Sequence, residues 1–331
     1  MTIPDISAAP NVLFLGAGAS RPLGKKLMGE FVISLKENPQ IANDYLFSDI
    51  VQKKPDLEFL LQELQEIGTK GYLAFRVERA NMLQQFKEVG AAASALRFRI
   101  EREVFLHYRG FDNDKETTTL FLPLFERLAK EITPSPLVVF TTNYDPAIET
   151  FCRLSGKYEC VDGFVHDPES KEYVWSSNGY ESTIVRTDRR PVILFKLHGS
   201  TDWVKRGERL VKGGAPIFAG GDPKHSNMMI YPATEKIAYF DPFFTCYTYL
   251  EECLSRARYC LVIGYSFRDY DALTRMRAAM RKNPGLVLEV LDPNATTIVD
   301  RVLDFEIKAK PITGMLSTGH PLPVISPFVK S

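Results

Sequence analysis

Five short runs constrain the fold of this 331-residue chain more than anything else in it. They are Asn11–Leu15 (NVLFL), Leu137–Thr141 (LVVFT), Val192–Leu197 (VILFKL), Tyr259–Ile263 (YCLVI) and Leu286–Leu291 (LVLEVL). Each is almost continuously apolar, rich in β-formers, and bounded by Gly, Pro, Asn or Asp. A strand apolar on both sides must be covered on both faces, as in a parallel sheet sandwiched by helices. Helical patterns follow most of the runs. Lys25–Lys36 sets Leu27, Met28, Phe31, Val32 and Leu35 on one face, and Pro146–Leu154 opens behind Asp145, a capping residue followed by proline. Asp269–Arg281 and Asn294–Leu303 also start behind Asp or Asn. The expected fold class is α/β, a doubly wound, Rossmann-like parallel sheet with a large helical insertion.

The insertion lies between the first two runs. Residues 16–136 carry almost no strand signal, while Asp56–Ile67, Tyr72–Lys87, Ala91–Tyr108 and Thr118–Ile132 read as helices. A crossover needs only about a dozen residues, so this is a subdomain rather than a connection. Tyr158–Arg190 reads as a second, turn-rich insertion. Thr201–Tyr239, dense in Gly, Pro and Asn, is expected to line a cleft. The Pro-rich tail from Pro311 suits an extended arm or a fraying end.

Composition excludes several classes. With 45% hydrophobic and 25% charged residues the chain is globular, not disordered. Lys and Arg number 41 against 41 Asp and Glu, so no broad basic surface suits direct nucleic-acid binding. No stretch approaches the roughly 18 apolar residues of a membrane span, and the first residues lack a signal-peptide pattern. The cysteines, at 152, 160, 246, 253 and 260, form no Cys-x-x-Cys pair, which suits reduced, structural thiols in a cytoplasmic protein.

The chemistry gathers where the runs end. The first enters Gly16-Ala17-Gly18-Ala19-Ser20, small residues that let backbone amides approach a pyrophosphate or simply make a tight strand-to-helix turn. Arg21 stands where the dinucleotide fingerprint needs glycine. The second ends in Thr141-Thr142-Asn143-Tyr144-Asp145. Asn143 offers donor and acceptor to sugar hydroxyls or a water, and Asp145 serves as helix cap or ligand acceptor. The third ends in Lys196-Leu197-His198-Gly199-Ser200. Only His198 of the five histidines abuts such a strand end, the place for a general base, while His107, His166, His225 and His320 read as structural. Gly264-Tyr265-Ser266-Phe267 and Asp292-Pro293-Asn294 close the fourth and fifth runs, with small or polar groups for phosphate and ribose.

GAGAS, TTNYD, KLHGS and GYSF, in this order and at these strand ends, resemble the sirtuin-like NAD-binding domain, with the prokaryotic antiphage-defence branch the most similar. The resemblance covers Asn11–Lys36 and about Pro136 to Asn294. It implies catalytic roles for Asn143 and His198 and a nicotinamide-amide contact for Asp145. It also implies phosphate binding by Gly16, Ala17, Gly18 and Ser20, adenosine-side contacts by Gly264 and Ser266, and a ribose contact by Asp292 or Asn294. The division it suggests is 1–38 with 133–310 as the NAD-binding domain, 39–132 as the helical insertion and 311–331 as a C-terminal arm.

Two departures shape the expected activity. The paired Cys-x-x-Cys zinc module of protein deacylases is missing, as is their Pro-Asp-Phe-Arg run after the Gly turn. What remains implies an NAD+ glycohydrolase with NAD+ as substrate and no zinc, acting as an antiphage effector that depletes NAD+. A protein deacylase and a non-catalytic NAD+ or ADP-ribose binding module are the alternatives. The chain stops soon after its last strand, so the trigger is expected from assembly or a partner. The resemblance suggests a homo-oligomer and a separate HerA-type ATPase subunit, with no direct nucleic-acid or membrane contact.

Overall fold

The computed structural model describes residues 6, 9, 11–73, 80–111, 113–130, 136–182, 188–213, 225–230 and 240–318. Seven strands form one sheet in the order β12 (Lys310–Thr313), β11 (Val287–Asp292), β10 (Tyr259–Ile263), β1 (Asn11–Leu15), β2 (Leu137–Thr141), β6 (Arg190–Lys196), β3 (Tyr158–Val161). Every neighbouring pair is parallel. Without β3 the order is that of the doubly wound dinucleotide-binding fold, the chain reversing direction of travel between β1 and β10.

Alternation within each strand explains the continuous apolar runs. Val12, Phe14, Val138, Phe140, Ile193, Phe195, Cys260 and Val262 enter one core; Leu13, Leu15, Leu137, Val139, Val192, Leu194, Leu261 and Ile263 enter the other. In chain order the helices are α1 (Ala17–Ser20), α2 (Met28–Leu35), α3 (Pro39–Ala42), α4 (Tyr45–Lys53), α5 (Leu57–Leu73), α6 (Ala80–Tyr108), α7 (Lys115–Lys130), α8 (Ala147–Ser155), α9 (Gly179–Ser182), α10 (Phe243–Arg256), α11 (Tyr270–Lys282) and α12 (Ala295–Leu303). α10, α11 and α12 cover the first face. α7 and α8 cover the second, through Leu120, Phe121, Leu124, Phe125, Leu128 and Phe151. No described helix is long and apolar enough to cross a membrane, and no disulfide joins the five cysteines.

The boundaries read from sequence shift in a physically intelligible way. α7 belongs to the sheet rather than to the insertion, because its apolar stripe packs on α8 and the strands. α2 goes the other way, sharing a third core with α4, α5 and α6. Tyr158–Val161, read as part of a turn-rich insertion, is an edge strand pairing with β6. The start of the C-terminal arm is likewise a strand, β12, whose Pro311 is tolerated because the strand lies at the sheet's edge. Edge strands escape the apolar signature since they are covered less completely.

The Gly- and Asn-rich region after His198 is not loop alone. β7 (Gly199–Arg206), β8 (Arg209–Lys212) and β9 (His225–Met229) join β4 (Phe164–His166) and β5 (Tyr173–Trp175) in an antiparallel second sheet, ordered β4-β5-β8-β7-β9. The cleft expected along Thr201–Tyr239 falls partly on 214–224 and 231–239, outside the described residues. So do His320, most of the tail, and 74–79 within the helix expected over Tyr72–Lys87.

Phe125 is fully buried with its ring centroid 4.6 Å from that of Phe151. Phe125→Ala is expected to lower unfolding free energy by about 3–5 kcal/mol, the range for deleting a buried aromatic. Urea denaturation checks this; a loss below about 1 kcal/mol would show that α7 does not help cover the sheet.

Candidate functional site

Parallel register assembles the site. Leu15 is level with Thr141 and with Ile263, Thr141 with Lys196, and Ile263 with Leu291. Gly16, Gly264 and Asp292 therefore each stand one residue past a paired position. Asn143 and His198 each stand two past theirs, on neighbouring strands. All are at the carboxyl edge, where open α/β sheets bind ligands.

The β1 and β10 turns meet backbone to backbone. A Cβ on Gly264 would lie 2.4 Å from the Ala19 nitrogen, and Gly264 has φ +60°. A Cβ on Gly18 would lie 2.7 Å from the Gly264 Cα. The Gly16 amide donates to the Ile263 carbonyl at 2.9 Å and the Gly18 amide to the Gly264 carbonyl at 2.9 Å. These glycines thus have a packing reason, and two of the amides that a phosphate would seek are already engaged inside the protein.

Asn143 is buried and its orientation is determined. Its Nδ2 donates to the Gly16 carbonyl at 3.0 Å and to Ser20 Oγ at 3.0 Å. A carbonyl can only accept, so the nitrogen must face Gly16 and Oδ1 is the side-chain atom left as an acceptor. The backbone below is tied as well: Asn143 N donates to Thr141 Oγ1, which donates to the Leu15 carbonyl, both at 3.0 Å.

Asp145 accepts from the Ala147 amide at 3.1 Å, the capping role its place before Pro146 suggests. Burial pushes its carboxyl up, against the opposing pull of Lys196, Ser20 and the Ala147 amide. Lys196, itself buried, donates to the Asp145 carbonyl at 2.6 Å and pairs with Glu149 at 3.2 Å. It clamps the turn that presents Asn143.

His198 is buried beside Asp269, with Nε2 2.7 Å from Oδ2. An ionised carboxylate can only accept, so Nε2 carries the hydrogen and Nδ1 is left as the basic nitrogen. Tyr247 donates to the same Oδ2 at 3.0 Å. Burial raises the Asp269 carboxyl, but the bond and charge of His198, the Tyr247 hydroxyl and the Asp271 amide outweigh it and hold it well below the usual carboxylate range. Asp269 also caps α11, accepting from Asp271 and Ala272 amides.

The remaining candidates lie along the same edge. Ser266 is exposed and its carbonyl accepts from Arg301. Asp292 Oδ1 accepts from the Asn294 amide at 2.8 Å, and Asn294 precedes α12. Ala17 lies partly open beside Gly18. Among the described residues no group of three or more His, Cys, Asp and Glu side chains is arranged to hold a metal.

Sequence reasoning missed three contributors. Asp269 was read only as a cap; its distance just past a strand end was the available signal. Tyr247 has no local signature, since it reaches the site from α10. Glu58, in the first turn of α5, belongs to the insertion, yet its carboxyl is close enough to feel the charges of His198, Asp269 and Arg268. Burial, with Asp56 next, pushes it up to about 7. Tyr144 joins the layers: its ring sits in the insertion's core, 5.9 Å from Tyr108 and 6.3 Å from His198 between centroids.

Residues 137–300 match the SIR2-like domain family. The matched stretch holds Asn143, Asp145, His198, Gly264, Ser266, Asp292 and Asn294; the Gly16–Ser20 turn precedes it. No curated protein sequence matches the chain. Among solved structures, a Sir2 homolog–NAD complex is 13% identical with a TM-score of 0.43, covering 87% of this chain and 80% of that one. A mutant Sir2 homologue in complex with 2'-O-acetyl ADP-ribose is 14% identical at 0.41, covering 87% and 82%. A Sir2 homologue mutant–ADP-ribose complex is 15% identical at 0.39, with the same coverage.

The depressed Asp269 carboxyl has a stability consequence. A carboxyl that binds its proton less readily when folded stabilises the protein above the unfolded carboxylate range, and the gain is lost as pH falls through the lower native value. Asp269→Asn is expected to cost about 1.5–3 kcal/mol at pH 7, as for a hydrogen bond to a charged group. Chemical denaturation across pH should show wild type and variant converging in strong acid. A constant gap would mean that charge is not what the variant removes.

Proposed function

We propose that the protein is an NAD+ glycohydrolase, cleaving NAD+ to nicotinamide and ADP-ribose. The observation that carries this reading is the pairing of Asn143 and His198 at matching positions on adjacent strands, each oriented by its own partners. The SIR2-like match over the same residues supports NAD+ as the substrate.

The chemistry suits these two groups. Asn143 Oδ1 faces a water or ribose hydroxyl as acceptor and its dipole favours the positive charge that develops at the ribose as the leaving group departs. His198 Nδ1 takes a proton from water while Asp269 steadies the resulting cation. The water oxygen bonds to the ribose anomeric carbon, the carbon–nitrogen bond breaks, and its electron pair returns to the pyridinium nitrogen, so nicotinamide leaves neutral.

The reading extends to an effector that depletes NAD+ in antiphage defence, switched on by assembly or by a HerA-type ATPase partner. The resemblance of its four motifs to that branch supports this.

Incubation with NAD+ is expected to release nicotinamide and ADP-ribose in equal amounts, read by liquid chromatography. Asn143→Ala and His198→Ala are each expected to lower the rate at least about 100-fold, the usual range for loss of acid–base or electrostatic catalysis. Activity surviving both substitutions would overturn the assignment.

A further inference from the structure

The carboxylate that orients His198 is itself held by four donors. Asp269 Oδ1 accepts from the Asp271 amide at 2.9 Å and the Ala272 amide at 3.3 Å, the capping bonds of α11. Oδ2 accepts from the Tyr247 hydroxyl at 3.0 Å and lies 2.7 Å from His198 Nε2. An ionised carboxylate offers about four lone-pair sites, so all of them are taken. Two of these donors belong to the backbone and a third is the base. Tyr247 is the fourth, and hydrolysis as written above gives it no task.

Its place in the fold suits one. Tyr247 lies on α10 with its ring buried in the core under the first face of the sheet, and α10 packs on α11. The hydroxyl therefore reaches Asp269 from a helix other than the one that Asp269 caps. The loop between Gly264 and Asp269 is shaped as firmly. Phe267 is buried and has φ +53°, a left-handed backbone that a bulky residue adopts only where its surroundings hold it. Its ring centroid is 4.9 Å from that of Tyr265, which lies 4.6 Å from that of Phe14 on β1. Carboxylate and tyrosine are thus both carried by packed core. Burial, with Asp269 next, pushes the Tyr247 hydroxyl up, so it keeps its hydrogen and donates to the carboxylate.

We propose that Tyr247 is a positioning residue for the base: by occupying the second site on Asp269 Oδ2, it holds the His198 ring in one orientation with Nδ1 free. The reaction it serves rests on the glycohydrolase reading. With the hydroxyl in place, Oδ2 divides its charge between two donors, and the carboxylate does not swing away from the ring. Without it, the whole of that charge falls on the His198 bond, and the ring can pivot about a single contact. Tyr247 itself makes no bond to substrate and gives up no proton.

Two measurements on the intact chain test this. Tyr247→Phe keeps the ring and removes only the hydroxyl. In NAD+ turnover it is expected to lower kcat about 10- to 100-fold with KM little changed, the factor that a hydrogen bond to a charged group represents. Because Tyr247 acts through Asp269, adding Tyr247→Phe to Asp269→Asn should change kcat by less than about twofold. Wild-type kcat in Tyr247→Phe, or losses that multiply in full, would overturn the proposal. The second readout needs no turnover. In NMR of protein carrying isotope-labelled histidine, the Nε2 proton of His198, identified by its loss in His198→Ala, should move downfield in Tyr247→Phe as Oδ2 is left with one donor. A tyrosine that only fills the core would leave that proton where it was, and an unmoved signal would also overturn the proposal. Absence of NAD+ cleavage by wild type alongside a moving proton would instead remove the glycohydrolase reading and leave Tyr247 positioning His198 through Asp269.

Discussion

The contact between the β1 and β10 turns sets the rest of the structure. Gly18 and Gly264 touch with no room for a side chain on either, and amides of this turn close onto carbonyls of the other. That contact sits where the doubly wound sheet reverses its direction of travel, so it brings the two halves of the sheet together at one edge. Because neighbouring strands run parallel and in register, what lies one or two residues past each strand end is delivered to the same place. Asn143 and His198 come to the same edge for this reason, although 55 positions of sequence separate them.

Around that edge the polar groups are held by partners that can act in only one sense. The Gly16 carbonyl must accept, which turns the Asn143 amide nitrogen inward and leaves its oxygen for chemistry. Asp269 must accept, which leaves Nδ1 of His198 as the base. Buried polar groups in a low-dielectric site gain strength from full satisfaction and lose much when one partner is removed. Lys196, bonded to both the Asp145 carbonyl and Glu149, extends the same logic to the turn beneath.

The helical insertion completes the site by apolar packing. Tyr144 is at once a member of the NYD turn and a plug in the insertion's core, so the two layers cannot separate without exposing a large aromatic ring. It reaches His198 on one side and Tyr108 on the other. Glu58, half-buried on α5, has its carboxyl raised by burial first and by its neighbour Asp56 next.

Sequence alone determined the central strands, the turns at their ends and the site candidates Asn143 and His198. Periodicity and local turn chemistry are properties of neighbouring residues, and a central strand advertises itself by being apolar on both sides. The edge strands β3 and β12 and the second sheet left weaker marks, because a strand covered on one side only can carry Glu159, Lys310 or Pro311. Tertiary structure decided everything that depends on which distant groups share a space. It made Asp269 a partner of His198 as well as a cap, and moved α7 onto the sheet and α2 onto the insertion. No local pattern encodes those choices, since each follows from how whole layers pack and which carboxyl is thereby taken out of water.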